Sequence, residues 1–334
     1  MQELEYGKGW VRDSLDPRDM LFAAQPETLA NLPTNVDLGP FPPIYDQGRT
    51  GSCTAQAGAA VFDYARKRQG FEFMSPSKLF LYYATRLLEG STESDSGAQL
   101  RDVIKALRTY GVCEEIIWPF NETMVTRRPD QKAWDLATED MVVRYRSVQQ
   151  TPEQIMGCLA EGYGIIFGFL VFDQYQRLGD TALVSMPGVG DRPLGGHANV
   201  LRGYSTIGGR VRVRARNSWG TGWGSQGECW FPMEFLTSRQ ICADFWAVEV
   251  VRDTTPIPVP PTPPPTPTPL PPYVGPGIKR AMDAEGDVPA SAEWYPLENG
   301  QDRGFSMAFG RSGKQYIYVI ETGKVTVTMP VNIL

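Results

Sequence analysis

The chain has 334 residues, 42% of them apolar, enough for one large or two ordinary domains with a sizeable core. Its net charge is −6, and it has no arginine–lysine run interleaved with aromatics, which argues against nucleic-acid binding. The longest apolar run, Ile165 to Phe172, is far too short to cross a bilayer.

Residues Met1 to Trp10 are polar and lack the pattern of an export signal, so the compartment stays open between cytoplasm and export by another route. Residues 1–35 form an N-terminal arm in which Asp13, Asp16, Arg18 and Asp19 surround Pro17. No helix of useful length fits there, and the arm is expected either to drape over the body or to regulate it. The compact part begins near Val36, and Pro40, Pro42 and Pro43 lead into Asp46-Gln47-Gly48-Arg49-Thr50-Gly51-Ser52-Cys53. Apolar residues then recur at helical spacing from Ala57 to Ala65, and Gly70 is placed to end the helix. Ser75-Pro76 predicts the start of a second helix, which Gly90 ends, and Leu100 to Tyr110 a third.

The period then changes. Thr151-Pro152 starts one more helix, and Tyr163–Phe172 reads as a buried strand. Ala198–Tyr204, Cys229–Phe231 and Phe245–Val251 are further strands. Arg210 to Arg216 alternates strictly, with its four arginines expected on a solvated face. A helical half followed by a β-rich half predicts an α+β fold of two lobes over residues 36–253. Residues 254–273 alternate proline and threonine, an extended linker that cannot pack a core. Residues 274–334 form a small β-rich module with a hairpin at Gln315–Ile320 and Lys324–Thr328. The module carries no catalytic constellation and is read as a tether for an unknown partner.

The five cysteines are Cys53, Cys113, Cys158, Cys229 and Cys242. None are spaced as in a zinc knuckle, so neither a metal nor a cofactor is expected. Cys53 sits where a glycine-bearing loop enters a helix, whose N-terminus favours a thiolate. Gln47 could offer its amide to a developing oxyanion. A small buried core cysteine is the competing reading. Cysteine chemistry needs a base, and the chain has a single histidine, His197.

Two later motifs decide between these readings. Gly195-Gly196-His197-Ala198 precedes a strand, and Asn217-Ser218-Trp219-Gly220-Thr221-Gly222-Trp223-Gly224 follows one. With Gln47 six residues before Cys53, residues 36–251 resemble the papain family of cysteine peptidases. The resemblance implies a helical lobe carrying Cys53 as nucleophile and a β-barrel-like lobe carrying His197. It implies that Asn217 orients the imidazole, that Trp219 shields that bond, and that Gln47 lines the oxyanion hole. It puts Gly97, Gly196 and Trp219 against a protein or peptide substrate, with Gly97 pairing to its backbone. The short arm looks like that of bacterial members, and it is expected to lie across the cleft and restrain activity. The alternative is a catalytically silent papain-like scaffold. There are departures too: Thr50 replaces the family's common disulfide cysteine, its partner loop near Ser96 has none, and Thr54 replaces a bulky aromatic.

Overall fold

Glycine and proline punctuation separates a helical first half from a sheet built almost wholly in the second. The computed structural model describes residues 6–179 and 181–251, together with four strands beyond them. In chain order the elements are β1 (Trp10–Val11), β2 (Leu21–Phe22), α1 (Pro26–Ala30), β3 (Val36–Asp37), α2 (Cys53–Arg68), α3 (Lys78–Glu89), β4 (Ala98–Gln99) and α4 (Leu100–Thr109). Then follow α5 (Gln131–Ala137), β5 (Val142–Val148), α6 (Pro152–Ala160), β6 (Ile165–Val171), α7 (Asp173–Gln176), β7 (Gly195–Ile207), β8 (Arg210–Arg216), β9 (Glu228–Pro232), α8 (Met233–Thr237) and β10 (Cys242–Val251).

Helix α2 is buried continuously from Cys53 to Ala65, a consequence of its alanine-rich sequence. A Cβ on Gly58 would overlap the Val103 side chain, so the glycine sets how closely α4 approaches. Helices α2, α3 and α4 enclose one apolar core with Trp246 and Val248 of the sheet. The second core lies within the sheet, around Phe167, Phe169, Phe231 and Phe245. The sheet order is β2-β5-β10-β6-β7-β8-β9, with β3 paired to β7. All of its pairs are antiparallel except β2 with β5. This is the expected α+β architecture of a helical and a β portion.

Several local expectations are corrected. Helix α3 is capped by Ser77, whose side chain accepts from Phe80 N; Ser75 has a left-handed φ of 56°, and its carbonyl pairs with Glu115 N. Helix α5 and strand β5 had no clear apolar period and were not foreseen. The arm contributes β2 to the sheet, with Phe22 and Ala24 buried, so its second half belongs to the body. The four arginines of β8 do not share a solvated face. Arg214 pairs with Asp37 and Glu228. Arg216 is only 3% exposed, donates at 2.6 Å to each of the Pro42 and Pro43 carbonyls, and lies against Phe41 and Tyr45. Alternation told which residues faced the aliphatic core but not that the other side would be roofed by residues 41–45.

Contacts divide the chain into two units, 1–254 and 255–334. In the second, β11 (Pro289–Pro296), β12 (Gly304–Gly310), β13 (Gln315–Val319) and β14 (Lys324–Thr328) form an antiparallel sheet in sequence order. Strands β13 and β14 are those of the expected hairpin. The proline–threonine linker lies outside the described residues. Among those described, no helix is long and apolar enough to cross a membrane.

Arg216→Ala would take the donor from the buried Pro42 carbonyl and the part-buried Pro43 carbonyl, at a cost of roughly 2–4 kcal/mol in unfolding free energy. Urea denaturation checks this; an unchanged midpoint would show that Arg216 does not hold the 42–43 segment.

Candidate active site

Cys53 is the first residue of α2, and the helix start has no side-chain cap. Ser52 turns its hydroxyl instead to Thr50 Oγ1 at 2.7 Å and Gln56 Nε2 at 3.2 Å. The uncapped helix end keeps its positive pole on the cysteine. Peptide N–H groups of Gly9, Ala198 and Thr54 also face the sulfur.

His197 lies on β7, fully buried, with Nε2 2.7 Å from Asn217 Oδ1. The same Asn217 oxygen accepts from Ser218 N at 2.8 Å, which settles the orientation of the amide. An amide oxygen only accepts, so Nε2 carries the ring proton and Nδ1 keeps its lone pair. Nδ1 has no hydrogen-bond partner. The Trp219 ring covers the imidazole at 4.4 Å.

Gln47 joins the two halves of this arrangement. Its Oε1 accepts from Ser218 Oγ at 2.7 Å, and its backbone N donates to Ser218 O at 2.9 Å. The side-chain amide is thereby turned so that Nε2 points away from Ser218, toward Thr50 O and the arm. Ser218 was not singled out in the sequence; only its place between Asn217 and Trp219 could have marked it.

The family model for papain family cysteine proteases matches residues 32–242. The chain belongs to that family. It is 34% identical to xylellain, a cysteine protease from Xylella fastidiosa, whose crystal structure it matches over 74% of this chain and 97% of that one with a TM-score of 0.71. It is 31% identical over 273 residues to an uncharacterised peptidase C1-like protein of Acanthamoeba polyphaga mimivirus, covering 73% of this chain and 87% of the relative. A digestive procathepsin L 3 of Tenebrio molitor, at 15% identity and a TM-score of 0.57 over 73% of this chain and 75% of that one, shares the fold. The protein is a cysteine-type peptidase, and its substrates are proteins or peptides.

In this papain-family chain, Asp95 occupies the place of the missing disulfide. Both its oxygens accept from Gly51 N, at 3.0 and 2.9 Å, and Tyr82 OH donates to it at 2.5 Å. Tyr82 OH in turn accepts from Gly97 N at 2.9 Å. Fully buried Arg86 holds the carbonyls of Ser94 and Val125. A carboxylate and a phenol thus tie the Cys53 loop to the Gly97 loop without a covalent link, and all five cysteines are free and buried.

The cleft is filled by the protein's own arm, through the segment Tyr6-Gly7-Lys8-Gly9-Trp10, which was not singled out within it. Tyr6 stacks on Trp219 at 4.4 Å and 7°. Gly7 N donates to Gly48 O at 3.1 Å, and Gly7 O accepts from Gln47 Nε2 at 3.2 Å. Gly9 O accepts from Ala98 N at 2.8 Å, and β1 continues parallel to β4. A Cβ on Gly7 or Gly9 would overlap the backbone of Thr50 or Gly51, and one on Gly97 would overlap Gly9 O. Only glycines permit this approach, which makes the paired glycines before Trp10 the one signal in the sequence.

Enclosure sets the protonation states. Burial pushes the Cys53 thiol up to about 12, in spite of the peptide N–H groups around it. Burial also drives His197 down to about 3, partly countered by its bond to Asn217. With the arm in place both groups are neutral.

Proposed function

We propose that this papain-family peptidase works through Cys53, His197, Asn217 and Gln47, and that its arm holds it inactive. Cys53 Sγ attacks the substrate carbonyl carbon as thiolate, its proton residing on His197 Nδ1. The C–N bond breaks as that proton passes to the leaving amine, and a thioester remains. His197 then takes a proton from water, whose oxygen replaces sulfur, and the thiol is restored. Asn217 keeps the imidazole in the reactive tautomer, and Trp219 shields their bond. Gln47 Nε2 and the Cys53 N–H receive the oxyanion. Gly97 and Gly196 lie along the substrate backbone. The observation carrying this reading is the His197–Asn217 bond, which leaves Nδ1 without a partner on the strand whose next residue, Ala198, turns its N–H to the Cys53 sulfur at the uncapped start of α2. Similarity to the Xylella fastidiosa enzyme supports a bacterial type of peptidase.

Inhibition by the arm is supported by what it occupies. Gly7 O takes the Gln47 amide, and the Tyr6 end lies on Trp219 beside His197, where the amine must leave. The chain then passes Cys53 toward Ala98, opposite to the sense in which a substrate would run from acyl to leaving side. Gly9→Val in the full chain should expel the arm and raise the rate at which a thiol-reactive epoxide labels Cys53 about tenfold or more. Mass spectrometry locates the adduct. Equal rates in the two proteins would end the inhibitory reading, and no adduct at Cys53 in either would end the nucleophile assignment.

Docking of the arm also carries a pH dependence. Asp13 N donates to Asp244 Oδ2 at 2.8 Å, while Asp13 accepts from Trp246 Nε1 and Arg101 N. The Arg101 guanidinium goes to Asp19 and Ser14 O, and that of Arg12 to the carbonyls of Arg239 and Cys242. Burial, then the neighbouring Asp244 charge, raises Asp13 to about 7, and Asp244 is raised too, chiefly by burial. A carboxyl raised on docking binds its proton more tightly when docked. Its contribution to docking is full below the free value of about 4 and is lost as pH rises through about 7. The labelling rate of the native chain relative to Gly9→Val should therefore climb across that window, and Asp13→Asn should flatten the climb. A ratio independent of pH would refute this.

The second unit, which lies beyond the family match, is proposed as a tether for another partner. A chain ending at residue 253 should retain hydrolysis of small peptides; a folded truncation without turnover would overturn the assignment.

A further inference from the structure

We infer that a single buried water sits behind the His197–Asn217 pair and fixes the Asn217 amide, with Gln56 and Asn199 as the positioning residues that hold it. The catalytic part of this inference rests on Asn217 orienting His197 in the proposed mechanism.

A small space lies where α2 meets β7 and the turn after β8. Tyr45, Gln56, Asn199 and Asn217 line it, with Ala57 and Ala60 on its apolar side. The volume open to the centre of a water-sized sphere is ≈10 Å³, about the least that one water needs. All four polar residues are 9% exposed or less. Each has an atom that meets no hydrogen-bond partner in the folded chain: Tyr45 OH, Gln56 Oε1, Asn199 Oδ1 and Asn217 Nδ2. Buried polar atoms are seldom left dry, because each then costs its full desolvation. Four of them around one space call for a shared occupant.

Neighbouring bonds fix which way the amides are turned. Thr50 Oγ1 gives its proton to Gln47 O at 2.9 Å. The proton between Thr50 and Ser52 therefore comes from Ser52 Oγ, which is left to accept from Gln56 Nε2. That leaves Gln56 Oε1 as the bare end. The Tyr175 hydroxyl is bonded to the Cys229 sulfur and accepts from Asn199 Nδ2 at 2.7 Å, so the bare end of Asn199 is Oδ1. Asn217 Oδ1 is taken by His197 and Ser218 N, which leaves Nδ2.

The resulting inventory is that of one water molecule. Two amide oxygens accept, one amide nitrogen donates, and a phenol can do either. A water donates to Gln56 Oε1 and Asn199 Oδ1 and accepts from Asn217 Nδ2 and Tyr45 OH. An ion fits less well: a cation would face the Asn217 N–H, and an anion two carbonyl oxygens, while the Arg216 guanidinium beside them is engaged with Pro42 and Pro43.

Held at both ends, the Asn217 amide is polarised toward Oδ1, which strengthens its bond to the proton on His197 Nε2. Gln56 lies one turn along α2 from Cys53, and Asn199 two residues along β7 from His197. The same water thus ties the nucleophile's helix to the base's strand.

Two measurements test this. The first needs no activity: a crystal structure of the native chain that resolves ordered water should show one molecule bonded to Asn217 Nδ2 and to Gln56 Oε1 or Asn199 Oδ1. An empty space, or these atoms paired directly with one another, overturns the inference. The second follows epoxide labelling of Cys53 against pH in the full chain carrying Gly9→Val, with and without Gln56→Met, or Asn199→Leu should Gln56→Met fold poorly. Lys8, whose charge bears on His197 in the docked chain, leaves with the arm in both proteins. Epoxide opening, like amine departure, takes a proton from the imidazolium. A less firmly held imidazolium loses that proton sooner, so the basic limb should move down by about half a pH unit or more, with labelling above the limb about threefold slower. A merely structural role would lower the urea midpoint and leave the limb in place, and that result overturns the positioning role even where the water is seen. No Cys53 adduct in the Gly9→Val chain would overturn the nucleophile assignment and the positioning role with it, whereas the crystal structure still decides the water site.

Discussion

The double link between Gln47 and Ser218 is the constraint on which the site depends. One bond joins backbone to backbone and the other side chain to side chain, both buried. They clamp the loop before α2 to the turn after β8, so the cysteine's helix and the histidine's strand are held by a shared seam. Asp46 and Trp219 extend it as a bridge. The seam also sets two orientations that no single lobe could set. Ser218 Oγ turns the Gln47 amide, and Ser218 N turns the Asn217 amide that faces His197. One residue thus positions groups on both sides of the cleft, at the modest energy of ordinary hydrogen bonds made in a dry setting where breaking them is expensive.

With the arm in the cleft, Cys53 and His197 are both shut off from water. A thiol raised to about 12 and an imidazole lowered to about 3 cannot exchange a proton at neutral pH. The same two groups, once hydrated and facing each other beside the start of α2, have the opposite tendency, because desolvation was the dominant cause of both shifts. In the proposed mechanism, activity turns on occupancy of the cleft more than on any rearrangement of Cys53 and His197. The grip of the arm is mostly backbone, through Gly7 and Gly9, with Tyr6, Trp10 and Asp13 as anchors. Such a strap is specific without needing a large apolar interface, and its anchoring carboxyls carry the pH dependence proposed for it.

Loss of the family's disulfide in the helical lobe has a physical substitute. Asp95 and Tyr82 connect the same two loops by hydrogen bonds, and Arg86 pins the Gly97 loop from beneath. A network of this kind is independent of redox conditions, in keeping with five unpaired buried thiols.

The sequence by itself determined the family, the division into a helical and a β-rich portion, and the motifs that carry Cys53, His197 and Asn217. Those features rest on local spacing: glycines at loop entries, apolar residues at helical or alternating period, and motifs whose residues adjoin in the chain. It did not disclose the arm's path, since Gly7 and Gly9 are required by the backbones of Thr50 and Gly51, more than 40 residues away. It misjudged Arg216, because alternation records one face of a strand and not what roofs the other. Ser77 displaced Ser75 as a helix cap once Ser75's carbonyl was engaged by Glu115. Local chemistry was legible because neighbours in sequence make it, whereas the contents of the cleft were decided by residues that only folding brings together.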